Sequence, residues 1–380
     1  MVSSAHAISN GLAADGGLFV PKEFPPISLA EIDAMREAPY SARALTVLAR
    51  FLTDYSEDEL KNCVETAYSK ERFGDFPAPL HLLKDNLDVL ELWHGPTCAF
   101  KDMALQILPL FLTKAVQKTG EQKKLVILVA TSGDTGKAAM AGFADVPETE
   151  VIVFYPQEGV SDIQKLQMVT QRGANVHAVA VEGNFDDAQT GVKILFGSRP
   201  LAEELQAQGC AFSSANSINW GRLVPQIVYY FSAYADAVNS GRIENGAPVN
   251  FAVPTGNFGD ILAGFYAKLM GLPVNKFICA SNSNNVLTDF INTGVYNRKR
   301  PFHKTISPSM DILVSSNLER LLFEETDHNA VQVAEWMKEL NEKGEYKIGT
   351  ELQNKILKDF FGTWVDEVET RETIGDVYNN

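Results

Sequence analysis

The sequence has few cysteines and lacks the arrangements in which cysteine or histidine usually holds a fold or a metal. Cys63, Cys98, Cys210 and Cys279 form no CxxC pair. This excludes a disulfide scaffold and favours reduced thiols. The six histidines show no metal-ligand spacing, so no metal site is predicted.

Long apolar runs and an excess of positive charge are also missing. The best apolar run has six residues, 125–130, which is far too short for a membrane span. The N-terminus lacks the basic and apolar regions of a signal peptide. The formal net charge of −15 repels nucleic acid and anionic membranes. We therefore expect a cytoplasmic protein with no nucleic-acid or membrane partner, in which any anionic ligand is bound by a local site.

The order of apolar patterns along the 380 residues indicates an α/β architecture. Short runs rich in β-branched residues predict buried parallel strands at 125–130, 151–155, 176–181, 251–253 and 277–280. Helical stretches between and after them predict helices near 136–143, 161–172, 185–196, 222–237 and 261–270. Beyond about residue 282 the pattern weakens, and 319–380 is predicted to be mainly helical and polar.

The stretch up to residue 76 is predicted to be helical. Helices are expected near 29–37, with Ser28 as a possible N-cap, and near 41–52 and 56–68. Pro77 and Pro79 separate this region from the next unit. A second break is predicted at 239–248, which is rich in turn-forming residues.

Two segments in the first half of the chain carry residues suited to chemistry. In 91–104, Lys101 follows an apolar, aromatic stretch that could bury its amine and favour the neutral, nucleophilic form. The alternative is a surface lysine at a helix start before Asp102. In 131–136, Thr-Ser-Gly-Asp-Thr-Gly joins a strand to a helix and can bind an anion; the alternative is a plain helix cap. This segment is not a Walker A loop, since Thr131 and Ala138 occupy positions that the motif reserves for other residues.

Two later segments have the same ambiguity. In 253–261, Gly256 and Gly259 let the backbone of a strand-to-helix loop approach a phosphate closely, although a simple turn would look alike. In 213–222, polar residues precede an apolar helix, and Arg222 could bind a phosphate or carboxylate with its guanidinium fork. The alternative there is a capping segment with a solvated arginine.

Together and in this order, the four segments resemble those of the threonine synthase family, in its bacterial and fungal branch. The segment His94-Gly-Pro-Thr-Cys-Ala-Phe-Lys-Asp102 resembles the lysine motif of that family, and 15–21 resembles its N-terminal signature. The resemblance covers nearly the whole chain. It implies a fold-type-II pyridoxal-phosphate enzyme with parallel-sheet domains and a helical N-terminal region, and pyridoxal 5′-phosphate as the cofactor.

The resemblance also implies roles for individual residues. Lys101 would be the catalytic residue that carries the cofactor, and Asp134 would lie near the phenolic oxygen of the cofactor. The implied cofactor-binding residues are Phe100, Lys101, Asp134, Thr255, Gly256, Asn257, Phe258 and Gly259. The implied substrate-binding residues are Thr131, Ser132, Gly133, Thr135, Asn216, Ser217, Asn219 and Arg222.

The implied reaction converts O-phospho-L-homoserine and water to L-threonine and phosphate by γ-elimination and β-addition. One alternative is a related pyridoxal-phosphate lyase or dehydratase, although a dehydratase has no need of a phosphate-binding arginine. The other alternative is a truncated, non-catalytic form. The sequence leaves open whether the protein is a monomer or a homodimer.

Finally, the resemblance implies a domain division and an incomplete chain. The expected domains are an N-terminal helical region at 1–78, a larger cofactor-binding domain formed by 79–124 and 249–380, and a smaller α/β domain at 125–248. Family members usually have a short strand before the point where this chain begins. They also continue past residue 380 with a segment that faces the pyridine nitrogen. We therefore expect a chain that is truncated, chiefly at the C-terminus.

Overall fold

The computed structural model divides the chain into two compact units, Met1–Asn245 and Gly246–Asn380. Their boundary falls within the turn-rich stretch predicted at 239–248. The finer division into three domains stays a prediction. The described residues are 1–13, 15–120, 123–131, 133–157, 160–183 and 185–379, with only the backbone described at 186.

The first unit begins with a helical region, as predicted. Its helices are α1 (Ser4–Asn10), α2 (Leu29–Ala34), α3 (Tyr40–Leu48), α4 (Glu57–Ala67) and α5 (Lys70–Phe73). Ser28 and Ser56 begin α2 and α4 with complete capping boxes, in which the serine and a glutamate three residues later bond reciprocally. The three predicted helices are confirmed, although each ends earlier than expected. The first ends in turns before Pro39, a residue that cannot continue a helix.

The rest of the first unit alternates strands and helices. Its elements are β1 (Leu80–Lys84), β2 (Leu87–Leu90), α6 (Asp102–Leu105), α7 (Leu108–Thr119), β3 (Lys124–Ala130), α8 (Asp134–Phe143), β4 (Thr149–Pro156), α9 (Asp162–Val169), β5 (Val176–Val181), α10 (Phe185–Gly197), α11 (Arg199–Ala207), β6 (Cys210–Ser213) and α12 (Trp220–Asn239). All predicted strands and helices of this stretch are confirmed. The β1–β2 hairpin and β6 lie outside the predicted strands.

A four-stranded parallel sheet with the order β5-β4-β3-β6 organises this unit. Because parallel strands end at the same edge of a sheet, the loops that follow β3 and β6 emerge side by side. The first of these loops begins at Thr131, and the second is 214–219. The topology therefore brings together two of the segments that the sequence singles out.

Helix α12 is buried over nearly its whole length and anchors the N-terminal helices. Arg43 of α3, itself buried, donates to the carbonyl and hydroxyl oxygens of Ser232 at 3.1 and 2.8 Å. It also forms a 2.7 Å ion pair with Asp236. Burial raises the pKa of Asp236, and the nearby guanidinium opposes that shift. The contact therefore fixes α3 against the helix that begins at the segment 213–222.

The second unit contains a three-stranded parallel sheet with the order β11-β8-β7. Its elements are β7 (Val249–Pro254), α13 (Gly259–Leu269), β8 (Val274–Ser281), α14 (Val286–Thr293), β9 (Val295–Asn297), a 3₁₀ turn (Pro308–Met310), α15 (Leu318–Glu325), α16 (Ala330–Lys343), β10 (Glu345–Lys347), α17 (Thr350–Asp359), β11 (Phe360–Trp364) and α18 (Glu367–Asn379). The predicted strands at 251–253 and 277–280 and the helix at 261–270 are confirmed.

The mainly helical prediction for 319–380 holds for α15 to α18 but misses β10 and β11. Strand β11 runs parallel to β8, and its Phe360 packs against Phe258, Phe265 and Phe277. Only Phe360 and Gly362 of this strand are buried. Such a short alternating pattern gives a weak signal in the sequence.

Close packing between α6 and α8 gives a first prediction. A Cβ atom built on Gly142 of α8 would lie 2.1 Å from the carbonyl oxygen of Leu105. We expect Gly142→Ala to lower the free energy of unfolding by about 1–3 kcal/mol or more, because backbone must move. Gly191→Ala is the matched control, since Gly191 lies inside α10 with nothing within 4 Å; it should stabilise by about 1 kcal/mol. Calorimetric unfolding measures both, and an unchanged Gly142→Ala would contradict this packing.

Candidate active site

The segment that carries Lys101 is fixed by Asp102, the first residue of α6. The carboxylate of Asp102 is fully buried and accepts hydrogen bonds from the backbone N–H and hydroxyl of Thr97, at 2.7 and 2.8 Å. A Cβ on Gly95 would lie 2.4 Å from that of Asp102, so the turn closes tightly. Burial raises the pKa of Asp102, and the bonds from Thr97 oppose the shift. The turn 95–102 thereby sets the position of Lys101.

The amine of Lys101 is held inside the first unit. Its side chain is 8% exposed, and Nζ lies 3.5 Å from Oδ2 of Asp134. Nζ also lies 4.5 Å from the ring centre of Phe100. The alternative of a surface lysine is therefore wrong. Lys101, Phe100 and Asp134, three of the predicted cofactor residues, meet in one place.

Asp134 begins α8, directly after the loop that follows β3. Thr131 shapes this loop, since its hydroxyl accepts hydrogen bonds from the N–H groups of Gly133 and Gly136 at 2.9 and 3.0 Å. Gly133 has a φ of 144°, which other residues rarely adopt. Thr135 lies in the first turn of α8. The predicted Ser132 lies outside the described residues.

Gln164 of α9 also contacts this loop, although the sequence pattern does not predict it as a site residue. Its Nε2 donates a 2.8 Å hydrogen bond to Oδ1 of Asp134. The sequence contains a capping-box pattern, Ser161-x-x-Gln164, which predicts where α9 begins. That pattern gives no indication of a contact thirty residues away with Asp134.

The segment after β6 contains residues that stabilise the local backbone, and it also contains one buried cation. Asn219 caps α12 by accepting from the N–H of Gly221, and its Nδ2 donates to the carbonyls of Ile8 and Ser214. A substrate contact by this amide would require one of those bonds to break. Asn216 and Ser217 are half-buried in the loop before it. Their predicted substrate contacts stay predictions.

Arg222 is a buried residue rather than a solvated one. It is 5% exposed, and Nη1 donates a 2.8 Å hydrogen bond to the carbonyl of Ala215. Burial lowers the pKa of Arg222 to about 10. In the described part of the chain, no carboxylate lies within 4.0 Å of its guanidinium. A buried cation in such surroundings is suited to binding an anion.

In the second unit, the loop between β7 and α13 has a backbone suited to a phosphate. The carbonyl of Gly256 accepts a 2.9 Å hydrogen bond from the hydroxyl of Ser315. The carbonyl of Asn257 accepts from the N–H and Nδ2 of Asn317, at 3.0 and 3.1 Å. A carbonyl and the next N–H point in opposite directions across a trans peptide. The N–H groups of Asn257 and Phe258 therefore point away from Ser315 and Asn317.

Those N–H groups have a geometry that suits an anion. Neither donates to an acceptor among the described residues. Phe258 has a left-handed φ of 64°, and its ring is buried, while Gly259 begins α13. Successive N–H groups at the start of a helix favour a phosphate. At the start of the loop, the hydroxyl of Thr255 donates a hydrogen bond to the carbonyl oxygen of Val253.

No cluster of three or more His, Cys, Asp or Glu side chains suited to a metal occurs among the described residues. Over the same residues, no helix is both long enough and apolar enough to cross a bilayer.

Two features, one in each unit, are typical of one class, the pyridoxal-phosphate-dependent enzymes. The first unit has a buried lysine beside a carboxylate, and the second has a backbone loop suited to a phosphate. The amine of Lys101 suits the aldehyde of this cofactor, and the N–H groups of 257–258 suit its phosphate. Residues 78–346 match the family described as "Pyridoxal-phosphate dependent enzyme", and residues 1–68 match "Threonine synthase N terminus". The fold is that of a fold-type-II enzyme of this class, and pyridoxal phosphate is its cofactor.

Individual relatives show which family within this class the chain resembles. The chain is 44% identical to human threonine synthase-like 1 over 99% of this chain. It is 42% identical to threonine synthase of Pseudomonas aeruginosa over 97% of this chain and 76% of the relative. The solved structure of pyridoxal-phosphate-bound threonine synthase from Brucella melitensis superposes with a TM-score of 0.91 at 38% identity, covering 100% of this chain and 79% of that one. The chain belongs to the threonine synthase family.

The lengths of the relatives differ from that of the chain. It spans about half the length of the threonine synthase-like 1 proteins, 51% in those of human, orangutan, macaque and mouse. It spans about three quarters of the threonine synthases of Pseudomonas aeruginosa and yeast.

The phosphate loop gives a second prediction. A Cβ on Gly256 would lie 3.2 Å from the carbonyl oxygen of Ser309 and 3.3 Å from Cα of Met310. We expect Gly256→Val to displace the loop and to weaken cofactor binding by about tenfold or more, because its N–H groups lose their alignment. Gly349→Val is the matched control, since Gly349 is exposed, extended and has nothing within 4 Å. Equal affinities of both variants in a cofactor titration would mean that the phosphate binds elsewhere.

Proposed function

We propose that the protein is a threonine synthase, which converts O-phospho-L-homoserine and water to L-threonine and phosphate. The observation that carries this proposal is the buried amine of Lys101 beside Asp134, in a chain 42% identical to a threonine synthase. The second candidate is a lyase of the same class that acts on a related phosphorylated amino acid. The buried guanidinium of Arg222 supports that candidate too, because it suits the phosphate of any such substrate.

In this proposal, Lys101 carries the cofactor and also moves protons. When bound, pyridoxal phosphate supplies an electron sink that acidifies the Cα–H of an amino-acid substrate. The amine of Lys101 accepts and returns protons at Cα and Cβ of the substrate. The carboxylate of Asp134, 3.5 Å away, stabilises the ammonium form between these transfers. Burial of the amine keeps bulk water from competing for the same protons.

The remaining residues bind the charged groups of the substrate and the cofactor. We assign the substrate carboxylate to the loop Thr131–Gly136, whose helix start favours an anion. Arg222 binds the substrate phosphate with Asn216 and Ser217 nearby in the same segment. The loop Thr255–Gly259 binds the phosphate of the cofactor.

We further propose that the enzyme acts in the cytoplasm on a small-molecule substrate, without nucleic acid or membrane. The scattered cysteines and the net charge of −15 support this proposal. The oligomeric state is a monomer or a homodimer.

Product analysis with wild-type protein and Lys101→Ala tests the function. Wild-type protein should release phosphate and L-threonine from O-phospho-L-homoserine in equal amounts. Lys101→Ala should lose more than about 100-fold in rate and should no longer trap cofactor on the chain with borohydride. Lys137→Ala is the control, because the pKa of Lys137 is also lowered by burial and its amine is the rival nucleophile. Phosphate release with 2-oxobutanoate in place of threonine would favour the lyase, and borohydride trapping on Lys137 would refute the role of Lys101.

Arg222 gives a further prediction about the substrate. Arg222→Ala should raise the KM for O-phospho-L-homoserine by about tenfold or more, since a charge-assisted contact with the phosphate is lost. Arg222→Lys should restore it partly, because an ammonium keeps the charge but not the fork. Competition with unphosphorylated L-homoserine is the control. If the affinity for both ligands falls equally, Arg222 supports the fold of the segment and does not bind the phosphate.

A further inference from the structure

Gln164 connects helix α9 to the lysine site by way of Asp134. Its side chain is 9% exposed, and Nε2 donates to Oδ1 of Asp134 at 2.8 Å. The other carboxylate oxygen, Oδ2, lies 3.5 Å from Nζ of Lys101. One oxygen of Asp134 is thus held by Gln164, and the other faces Lys101.

The orientation of the Gln164 amide is determined by its second contact. Its Oε1 accepts hydrogen bonds from the N–H and the hydroxyl of Ser161, at 3.3 and 3.1 Å. Since the backbone N–H of Ser161 can only donate, the amide oxygen must face Ser161. The Nε2 group is therefore directed at Asp134.

The loop of Asp134 is built to admit this side chain. A Cβ on Gly133 would lie 2.3 Å from Cδ and 2.4 Å from Nε2 of Gln164. Any larger residue at 133 would fill the space that the amide occupies. The absent side chain of Gly133 and the capping box of α9 are two separate features that serve the same contact.

We propose that Gln164 is a positioning residue, which anchors the carboxylate of Asp134 and so holds it against the amine of Lys101. The carboxylate needs such an anchor because its side chain is 25% exposed and water competes for it. Without the Nε2 donor, the carboxylate turns toward solvent, and the ammonium form of Lys101 loses the opposite charge that lies 3.5 Å away. This positioning role affects catalysis only if Lys101 has the function proposed above.

Other charged groups near the site are the same in all the variants used below. Asp102 adjoins Lys101 in the chain and interacts with Lys137 of α8. Lys137 is also bonded to Gln171 just beyond α9. These groups affect the amine of Lys101 equally in wild-type and variant chains, so a difference between variants reports on Asp134 and Gln164.

The test measures the pKa of Lys101 in the full 380-residue chain before cofactor is added. The rate of acetylation of Lys101 by acetic anhydride, followed by mass spectrometry over a range of pH, gives this pKa. Asp134→Asn should lower it by about 1–3 units, since the opposite charge is removed. Gln164→Met, which keeps the side-chain volume but has no donor, should lower it by about 1 unit. In an Asp134→Asn background, Gln164→Met should add nothing further.

Ser161→Ala is the matched control for the helix cap. It removes the capping hydroxyl, as Gln164→Met removes the capping amide, but it leaves Nε2 free to bond Asp134. Both variants should lower the thermal midpoint, and only Gln164→Met should change the pKa of Lys101. If Gln164→Met does not fold, Gln164→Asn serves instead, because its side chain is one methylene too short for the amide to reach Asp134.

Two results would overturn the proposal. One is a pKa of Lys101 that is the same in Gln164→Met and wild-type protein, and the other is an equal shift in Ser161→Ala. A failure of the proposed function would give a different experimental result. A chain in which the pKa of Lys101 responds as expected, but which releases no threonine, would refute the substrate and leave the role of Gln164 intact.

Discussion

The first unit depends on keeping one lysine amine inside a protein without leaving its charge uncompensated. Taking an ammonium out of water is costly unless an opposite charge and hydrogen bonds replace the solvent. Asp134 supplies the charge, and the turn clamped by Asp102 places the amine beside it. The parallel sheet brings the loop of Asp134 to the edge where the segment after β6 also emerges. Much of the local architecture, from the glycine at 133 to the capped start of α9, follows from that requirement.

Each unit has a loop whose backbone geometry suits an anion, and in the first unit the buried cation Arg222 adds a side-chain charge. The protein as a whole is acidic, so its long-range field repels a phosphate. In the second unit, Ser315 and Asn317 hold two carbonyls and thereby turn the following N–H groups the other way. In the first unit, the hydroxyl of Thr131 holds the loop before α8. Such dipoles act over a few ångströms and leave the overall charge unchanged.

The sequence predicts the elements well and their side-chain contacts poorly. Strands β3, β4 and β5 contain short, mostly apolar runs rich in β-branched residues, and that pattern predicts them. Lys101 is different, since its contact with Asp134 joins two separate segments of the chain and cannot be predicted from 91–104 alone. Gln164 is missed because a hydrogen bond across thirty residues has no periodicity. Strand β11 is missed because it has five residues and only two of them are buried, so its alternating pattern is too short to mark a strand.

The contacts of helix α1 indicate the order in which parts of the first unit fold. Carbonyls at the end of a helix have no partner within it. Here the carbonyls of Ile8 and Ser9 accept from Asn219 and Ser213, more than two hundred residues later in the chain. During synthesis the first helix therefore emerges from the ribosome long before its partners exist. Its docking closes a loop of nearly the whole unit, a step of high contact order that is expected to be late and slow.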